Sequence, residues 1–295
     1  MNNYPRPRAK EKACDTAIKN TLAYRAVFKY PMSFYQLGTF LITEKILDYE
    51  IFSKELTKLC KNRSVKVKGS KYFLTGFKPV SWPLRTKQSH EQIKKIGPVI
   101  KLLEIIPWIK LCAITGSAAA YNLSNKDDID IFVITKPKRL WITRFFTVIL
   151  LKIAGKYRTD KFPWGKICPN IFVDETKMGW DKEKQNIYVA HEILMMHPVI
   201  SREDAYFKFL NSNVWIYKYF ANQAPEKEKY TVKESKTKHS KLIDFIENSL
   251  YILQYLYMRK KKTNEIIKRN FVHFNKTDST KDILTQYESN RLYCE

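Results

Sequence analysis

Residues 111–135 read LCAITGSAAAYNLSNKDDIDIFVIT, and this stretch decides the fold. Two short apolar runs, 111–114 and 129–134, predict two β-strands. Between them lie a Gly-Ser turn, Gly116-Ser117, and an Asp-x-Asp pair, Asp128 and Asp130. The pattern puts polar groups at the ends of two buried strands, so we interpret the rest of the chain as support for a site there.

The Asp-x-Asp pair predicts a metal site. Residues two apart on a strand share one face, so Asp128 and Asp130 point together while Ile129 and Ile131 enter the core. Two neighbouring carboxylates repel each other unless a cation lies between them. Hard oxygen ligands of this kind suit Mg²⁺.

The Gly-Ser turn predicts a phosphate site. Gly116-Ser117 lies where the first strand passes into a helix that begins with Ala118. Glycine allows a phosphate to approach the backbone closely, the start of the helix offers free N–H groups, and Ser117 adds a hydroxyl. Phosphate and metal would therefore meet at one edge of the sheet.

The two motifs together resemble a known family. In the polymerase-beta-like nucleotidyltransferase superfamily about ten residues separate Gly-Ser from Asp-x-Asp, and here residues 118–127 separate them. Over residues 20–290 the chain also resembles uncharacterised bacterial nucleotidyltransferase-like proteins with a winged-helix-like N-terminal region. The segments that carry this broader resemblance include YPMSFYQL, IPWIKLCAITGSAAA, DDIDIFVIT and ICPNIFVDE.

This resemblance implies an activity and roles for the motif residues. Gly116 and Ser117 would hold the triphosphate of a nucleoside triphosphate, and Asp128 and Asp130 would bind Mg²⁺. A nucleotidyl group would pass to an acceptor as pyrophosphate leaves. In the family a third carboxylate on a later strand completes the site.

The identity of that third carboxylate stays open in the sequence. Alternation along the apolar run 167–173 turns Asn170 and Asp174 toward the site. Asp174 is the third candidate catalytic residue, although it lies at the end of the strand. Asn170 could ligate a metal but could not act as a base, which would leave nucleotide binding without turnover. Asp127 is a further alternative, although its position favours a solvated turn.

The N-terminal region has the order of a winged helix-turn-helix domain. Three short helices are predicted at 16–28, at 34–41 behind Ser33, and at 54–60 behind Ser53, and a hairpin of strands 65–67 and 72–74 follows them. We expect nucleic-acid phosphates to contact the third helix and the hairpin, which carry Lys54, Lys58, Lys61, Lys66, Lys68 and Lys71. A packing or protein-interaction role is the alternative.

The remaining chain predicts a mixed α and β architecture. We expect a helix at 90–106 interrupted at Gly97-Pro98, an apolar helix at 140–155, a strand at 167–173, and helices from residue 186, the last of them at 242–262. The fold class is α+β or α/β, with a central nucleotidyltransferase mixed sheet flanked by helices. The predicted divisions are a basic tail (1–14), a winged-helix-like domain (15–80), the nucleotidyltransferase core (81–185), and a helical C-terminal region (186–295) with a linker near 225–238.

Composition limits the classes of protein and partner. Hydrophobic residues make up 44% of the 295 residues, which indicates a globular chain. Lys and Arg outnumber Asp and Glu by 53 to 29, and the net charge of +24 favours polyanionic partners, although it also solubilises the surface. Five scattered cysteines favour a reducing compartment. No secretory signal or transmembrane segment is predicted, and we expect a cytoplasmic location.

Other residue patterns are weaker indicators of function. His191-Glu192 and His197 do not form HExxH, because a six-residue offset puts the two histidines on different sides of a helix. Two functions therefore remain. The first is a Mg²⁺-dependent nucleotidyltransferase with an unidentified acceptor, and the alternative is a regulatory protein that binds nucleotide and nucleic acid through a catalytically degenerate domain.

Overall fold

The computed structural model describes residues 11–159, 161–225, 240–259, 265–274 and 279–293, with side chains from residue 13 onward. Most of the predicted basic tail, nearly all of the predicted linker, and the predicted end of the long helix at 260–262 lie outside these residues.

The N-terminal part forms a small sheet against three helices. Its elements in chain order are α1 (Glu11–Val27), β1 (Met32–Ser33), α2 (Phe34–Thr39), α3 (Tyr49–Lys61), β2 (Val65–Lys68) and β3 (Lys71–Leu74). The three antiparallel strands are arranged in the order β1-β3-β2. The predicted hairpin is therefore confirmed.

The remaining elements build a larger mixed sheet. They are α4 (Trp82–Leu102), β4 (Ile109–Ile114), α5 (Gly116–Ala119), β5 (Ile129–Thr135), α6 (Leu140–Ile153), β6 (Ile167–Asp174), α7 (Ile187–Met195), β7 (His197–Ser201), α8 (Ala205–Asn211), α9 (Lys241–Arg259), β8 (Ile266–Ile267), β9 (Phe271–His273) and α10 (Thr280–Leu292).

The larger sheet has the order β7-β4-β5-β6-β9-β8 within the described residues. β5 and β6 are parallel, because α6 carries the chain back across the sheet between them, and the other neighbours are antiparallel. The chain is thus a mixed α and β protein with helices on the faces of a mixed sheet.

The two faces of this sheet are covered by different helices. On one face, Phe132 and Ile134 share a continuous core with Phe209 of α8 and with Ile18 and Phe52 of the N-terminal helices. The alternate side chains of β5 and β6, such as Ile131, Val133 and Phe172, point to the other face. There they pack against α4, α6 and α9. Both faces are apolar, so alternation of hydrophobicity is weak along the central strands.

Local signals located some helix ends and missed others. Ser33 caps α2 as predicted, in a reciprocal pair of hydrogen bonds with Gln36. The third helix begins earlier than predicted, because the Asp48 carboxylate, not Ser53, accepts the N–H groups of Glu50 and Ile51.

Two further predictions are corrected by the structure. α4 runs without a break through Gly97-Pro98, so tertiary packing of its apolar side overrides the proline. The region after residue 186, predicted as helical, also contributes β7, β8 and β9. These strands are only two to five residues long, too short to show a periodicity of their own.

The described helices include none that combines the length and the apolar character needed to cross a membrane.

The start of α6 depends on a buried carboxylate of α9. The two oxygens of Glu247 accept the N–H groups of Trp141 and Ile142 at 2.9 and 2.8 Å. These N–H groups have no partner within their own helix, and Glu247 is only 5% exposed. The pair of bonds fixes the crossover helix that sets β6 beside β5.

Replacing Glu247 tests this contact. Glu247→Ala leaves two buried N–H groups unpaired, and we expect the free energy of unfolding to fall by about 2–4 kcal/mol. Glu247→Gln keeps one accepting oxygen and should cost about 1 kcal/mol. Urea denaturation monitored by circular dichroism measures both. Ser249→Ala, at an exposed position of the same helix, should change stability by less than about 0.5 kcal/mol. Equal losses in Glu247→Ala and Ser249→Ala would contradict this role.

Candidate functional site

The predicted Gly-Ser turn and Asp pair meet at one edge of the larger sheet. The antiparallel pairing of β4 with β5 sets Ile114 opposite Ile131, and the Thr115 N–H donates to the Asp130 carbonyl at 2.9 Å. Gly116 follows with φ +64°, a conformation that favours glycine. A Cβ atom at Gly116 would lie 3.1 Å from Oδ2 of Asp130. The glycine is therefore needed for the Asp130 carboxylate to sit against the turn.

A third side chain joins the Asp pair from β6. Cys168 pairs with Asp130 across the parallel strands, and ligand atoms of Asp128, Asp130 and Cys168 all lie within 4.8 Å of one another. Sequence reasoning missed Cys168, because its role depends on which residue of β6 lies opposite Asp130. The group has the donors of a small metal centre, with two carboxylates and one thiol.

The prediction that Asp174 joins the pair is corrected by the geometry. A β-bulge at Asn170 shifts the register, so Pro169 pairs with Ile131 but Ile171 pairs with Phe132. Beyond the bulge the alternation is inverted, and Asp174 lies level with Thr135, on the face covered by α6 and α9 and at the opposite end of the sheet.

Asp174 has a structural role at that position. Its carboxylate accepts the Lys138 N–H at 2.6 Å and the Thr176 N–H at 2.8 Å. The two alternatives also remain outside the metal-ligand group. Asn170 occupies the bulge, and its side-chain oxygen is buried with no hydrogen-bond partner in the described part of the chain. Asp127 closes a turn by accepting the Ser124 N–H and hydroxyl.

A carboxylate from α7 reaches the turn from the other side. Glu192, partly buried, accepts a hydrogen bond from the Gly116 N–H. Its negative charge is one of the causes that raise the pKa of Asp130. In the sequence, Glu192 stands out only as the neighbour of His191, in a pattern that does not match the HExxH zinc motif. His191 itself is buried among Tyr24 and Phe40, so the two neighbours have different surroundings.

Burial and mutual repulsion alter the acidity of these carboxyl groups. Burial, then the charge of Asp128, raises the pKa of Asp130 to about 7. Burial also raises the pKa of Glu192 to about 7, against the opposing hydrogen bond from Gly116. Burial raises the pKa of Asp128 as well, opposed by Arg158, whose Nε lies 2.9 Å from Oδ2. The site thus concentrates negative charge that one arginine only partly offsets.

An open groove of about 740 Å³ lies near this edge, where the Ile129 N–H donates to the carbonyl of the lining residue Lys166. Two of its residues directly precede Asp127-Asp128 in the chain, and others flank Arg158. It combines three lysines with three aromatic rings, and its lining consists of Asn125, Lys126, Tyr157, Thr159, Lys161, Phe162, Pro163, Trp164 and Lys166. Cationic and aromatic side chains together suit a planar base that carries phosphate.

The stability of the metal-free protein should reveal the pKa of Asp130. The pKa of Asp130 is near 7 in the folded state and about 4 in the unfolded state, so protonation of this group stabilises the folded protein at low pH. This stabilisation is lost as pH rises from about 4 to about 7. In chelator, Asp130→Asn should therefore gain stability relative to wild type as pH rises from about 4 to about 7.5. Urea denaturation at several pH values measures the difference.

The control for this measurement is Asp181→Asn. Asp181 is exposed, and a hydrogen bond from Lys177 lowers its pKa, so this variant should not gain stability as pH rises. A pH-independent difference between Asp130→Asn and wild type would show that Asp130 does not carry the expected repulsion.

Comparisons with models of protein families, with curated proteins and with solved structures give no match for this chain, so its function has to be argued from the site itself.

Proposed function

We propose that the chain binds a nucleoside triphosphate with a divalent cation at the Gly116-Ser117 turn and the Asp pair, and transfers its nucleotidyl group to an acceptor. The observation that carries this proposal is the close approach of a positive-φ glycine turn to the Asp130 carboxylate, which converges with that of Asp128. A turn of this kind can approach phosphate closely, and paired carboxylates beside it suit a cation bound to the same phosphate.

The donor set fits Mg²⁺ through its oxygens. Asp128 and Asp130 would hold the cation, while the Cys168 thiol is a poor ligand for it. Mg²⁺ commonly takes one or two protein carboxylates and completes its shell with phosphate oxygens and water. When bound, the cation would offset the charge that develops on the phosphates during transfer.

The groove supports nucleotide binding beside the Asp pair. Lys126 and Lys161 are exposed and can attract phosphate, and the rings of Phe162 and Trp164 offer stacking surfaces for a base. Arg158 forms an ion pair with Asp128, and its chain neighbours Tyr157 and Thr159 line the groove. A guanidinium in that place can contact both the carboxylate and an incoming phosphate.

Glu192 is the group best suited to replace the third carboxylate of the resembling family. Its pKa near 7 allows it to accept a proton from an acceptor hydroxyl at neutral pH. Its hydrogen bond from the Gly116 N–H also means that the ionised carboxylate competes with phosphate for the turn. Glu192 would then act in transfer while weakening the binding of the triphosphate.

The alternative function is nucleotide-dependent regulation without turnover. Cys168 stands where a carboxylate of β6 would face Asp130, which favours binding over catalysis. Three helices packed with a three-stranded sheet of order β1-β3-β2 are compatible with the expected winged helix, and on this basis a nucleic-acid partner belongs to the alternative. A cytoplasmic location is compatible with either function.

Glu192 and Asp174 variants separate these functions. With labelled ATP and a range of acceptors, we expect Glu192→Gln to lower transfer by at least about 100-fold, because a general base is removed. The dissociation constant for ATP should stay unchanged or fall. Asp128→Asn combined with Asp130→Asn should abolish the Mg²⁺-dependent rise in melting temperature with ATP.

Asp174→Asn is the control, since it removes a carboxylate at the far end of β6, on the opposite face of the sheet, and should retain transfer. Loss of transfer in Asp174→Asn but not in Glu192→Gln would overturn the role given to Glu192. Mg²⁺-dependent binding of ATP by a wild-type protein with no transfer to any acceptor would favour regulation.

The hairpin provides a separate test for nucleic acid. Lys66 and Lys68 are exposed, whereas Lys71, also predicted to contact phosphate, turns inward and donates to Gln36 at 2.8 Å. Reversing both charges with Lys66→Glu and Lys68→Glu should weaken duplex binding and reduce the slope of log K against log salt by about two. Lys94→Glu with Lys95→Glu on α4 makes the same charge change elsewhere. Equal effects of both pairs would mean that bulk charge, not the hairpin, attracts nucleic acid.

A further inference from the structure

The orientation of α9 is the reverse of that expected for an amphipathic surface helix. Its inner side carries Glu247, Gln254 and Met258, all buried. Its outer side carries large apolar residues that are between 36% and 70% exposed, namely Leu242, Phe245, Ile246, Ile252, Leu253 and Leu256. These six residues recur at helical spacings and form one stripe, which we call the α9 stripe.

The inner side of α9 combines apolar residues of the core with polar groups that hold α6. Besides the Glu247 contacts, the Gln254 side-chain N–H donates to the Trp141 carbonyl at 2.9 Å, and Arg139 donates to Asp244 at 2.7 Å. Turning the helix to bury the stripe would leave these polar groups and the start of α6 unpaired. The exposed stripe is therefore a fixed feature of the fold.

An exposed stripe of this length is larger than the scattered apolar residues of an ordinary surface. Six such side chains, at roughly 100 Å² each, offer on the order of 600 Å² per copy, and a standard protein interface buries ~800 Å² on each partner. Contiguous apolar patches of several hundred Å² usually mark interaction sites. The stripe with its rim is of the size that a dimer requires.

The absence of basic residues along the α9 stripe indicates which partner it binds. Residues 242–258 contain no Lys or Arg, although the chain has 53 of them and a net charge of +24. An anionic membrane or nucleic acid would be attracted to a basic surface, and this surface has no basic residue between Lys241 and Arg259. Two copies of a strongly basic chain repel each other least where neither presents positive charge.

We propose that the α9 stripe is the contact through which two copies of this chain form a symmetric dimer. The same patch on each copy is self-complementary, as a two-fold interface requires. The inference does not depend on nucleotide binding or transfer.

Sedimentation velocity of the full chain tests the proposal. At tens of micromolar (~50 µM), the mass should approach twice the 35.0 kDa of one chain. The dimer should tighten as salt rises from about 0.1 M to about 1 M, because the repulsion between the two basic copies is screened and burial of apolar surface is not weakened.

The decisive variant is Leu253→Lys, which places an ammonium within the C-terminal half of the α9 stripe and should raise the dissociation constant of the dimer at least tenfold, by about 1.4 kcal/mol or more. Leu242→Lys repeats the test at the other end of the stripe. Ile105→Lys makes the same charge change at an apolar residue that is 71% exposed on the turn before β4, and should remain dimeric.

Equal melting temperatures would show that all three variants fold. A wild-type protein that stays monomeric across these conditions would overturn the proposal and assign the stripe to another partner or segment. Equal weakening by Leu253→Lys and Ile105→Lys would overturn it as well.

Discussion

The close approach of the Gly116 backbone to the Asp130 carboxylate is the contact on which the site depends. It requires the β4–β5 register, which ends β4 beside the start of β5, and a residue without a Cβ atom at φ +64°. Any side chain at this position would push the carboxylate away from the turn. The N–H of the same glycine binds Glu192, so one backbone unit connects the sheet, the turn and α7.

Folding brings together more negative charge than the local positive charge can neutralise. Asp128, Asp130 and Glu192 approach one edge, and Arg158 is the cation that contacts the pair most directly. Carboxylates held in this way are destabilising when ionised without a cation, as the raised pKa values of Asp130 and Glu192 indicate. Such an arrangement is typical of sites that bind a ligand or carry out proton transfer, because binding relieves the repulsion.

The sequence was sufficient for the parts of the site that depend on local pattern. The strands around 111–114 and 129–134, the turn at Gly116, and the shared face of Asp128 and Asp130 follow from residue spacing alone. The third residue of the ligand group, Cys168, could not be predicted in this way. The extra residue Asn170 inverts the alternation along β6 from which Asp174 was predicted. Glu192 could not be found either, since nothing local indicates that α7 packs its carboxylate against a turn 76 positions earlier in the chain.

The register that defines the site also explains the surface of α9. Cys168 lies beside Asp130 only because β6 runs parallel to β5, and that pairing requires the crossover helix α6 to stay in place. α6 begins at N–H groups held by Glu247 and is bonded again through Gln254, both on the inner side of α9. These contacts fix the rotation of α9 about its axis, and the apolar residues on its opposite side are therefore held at the surface. The geometry of the candidate site and the exposed stripe are therefore two consequences of one requirement, the anchoring of α6.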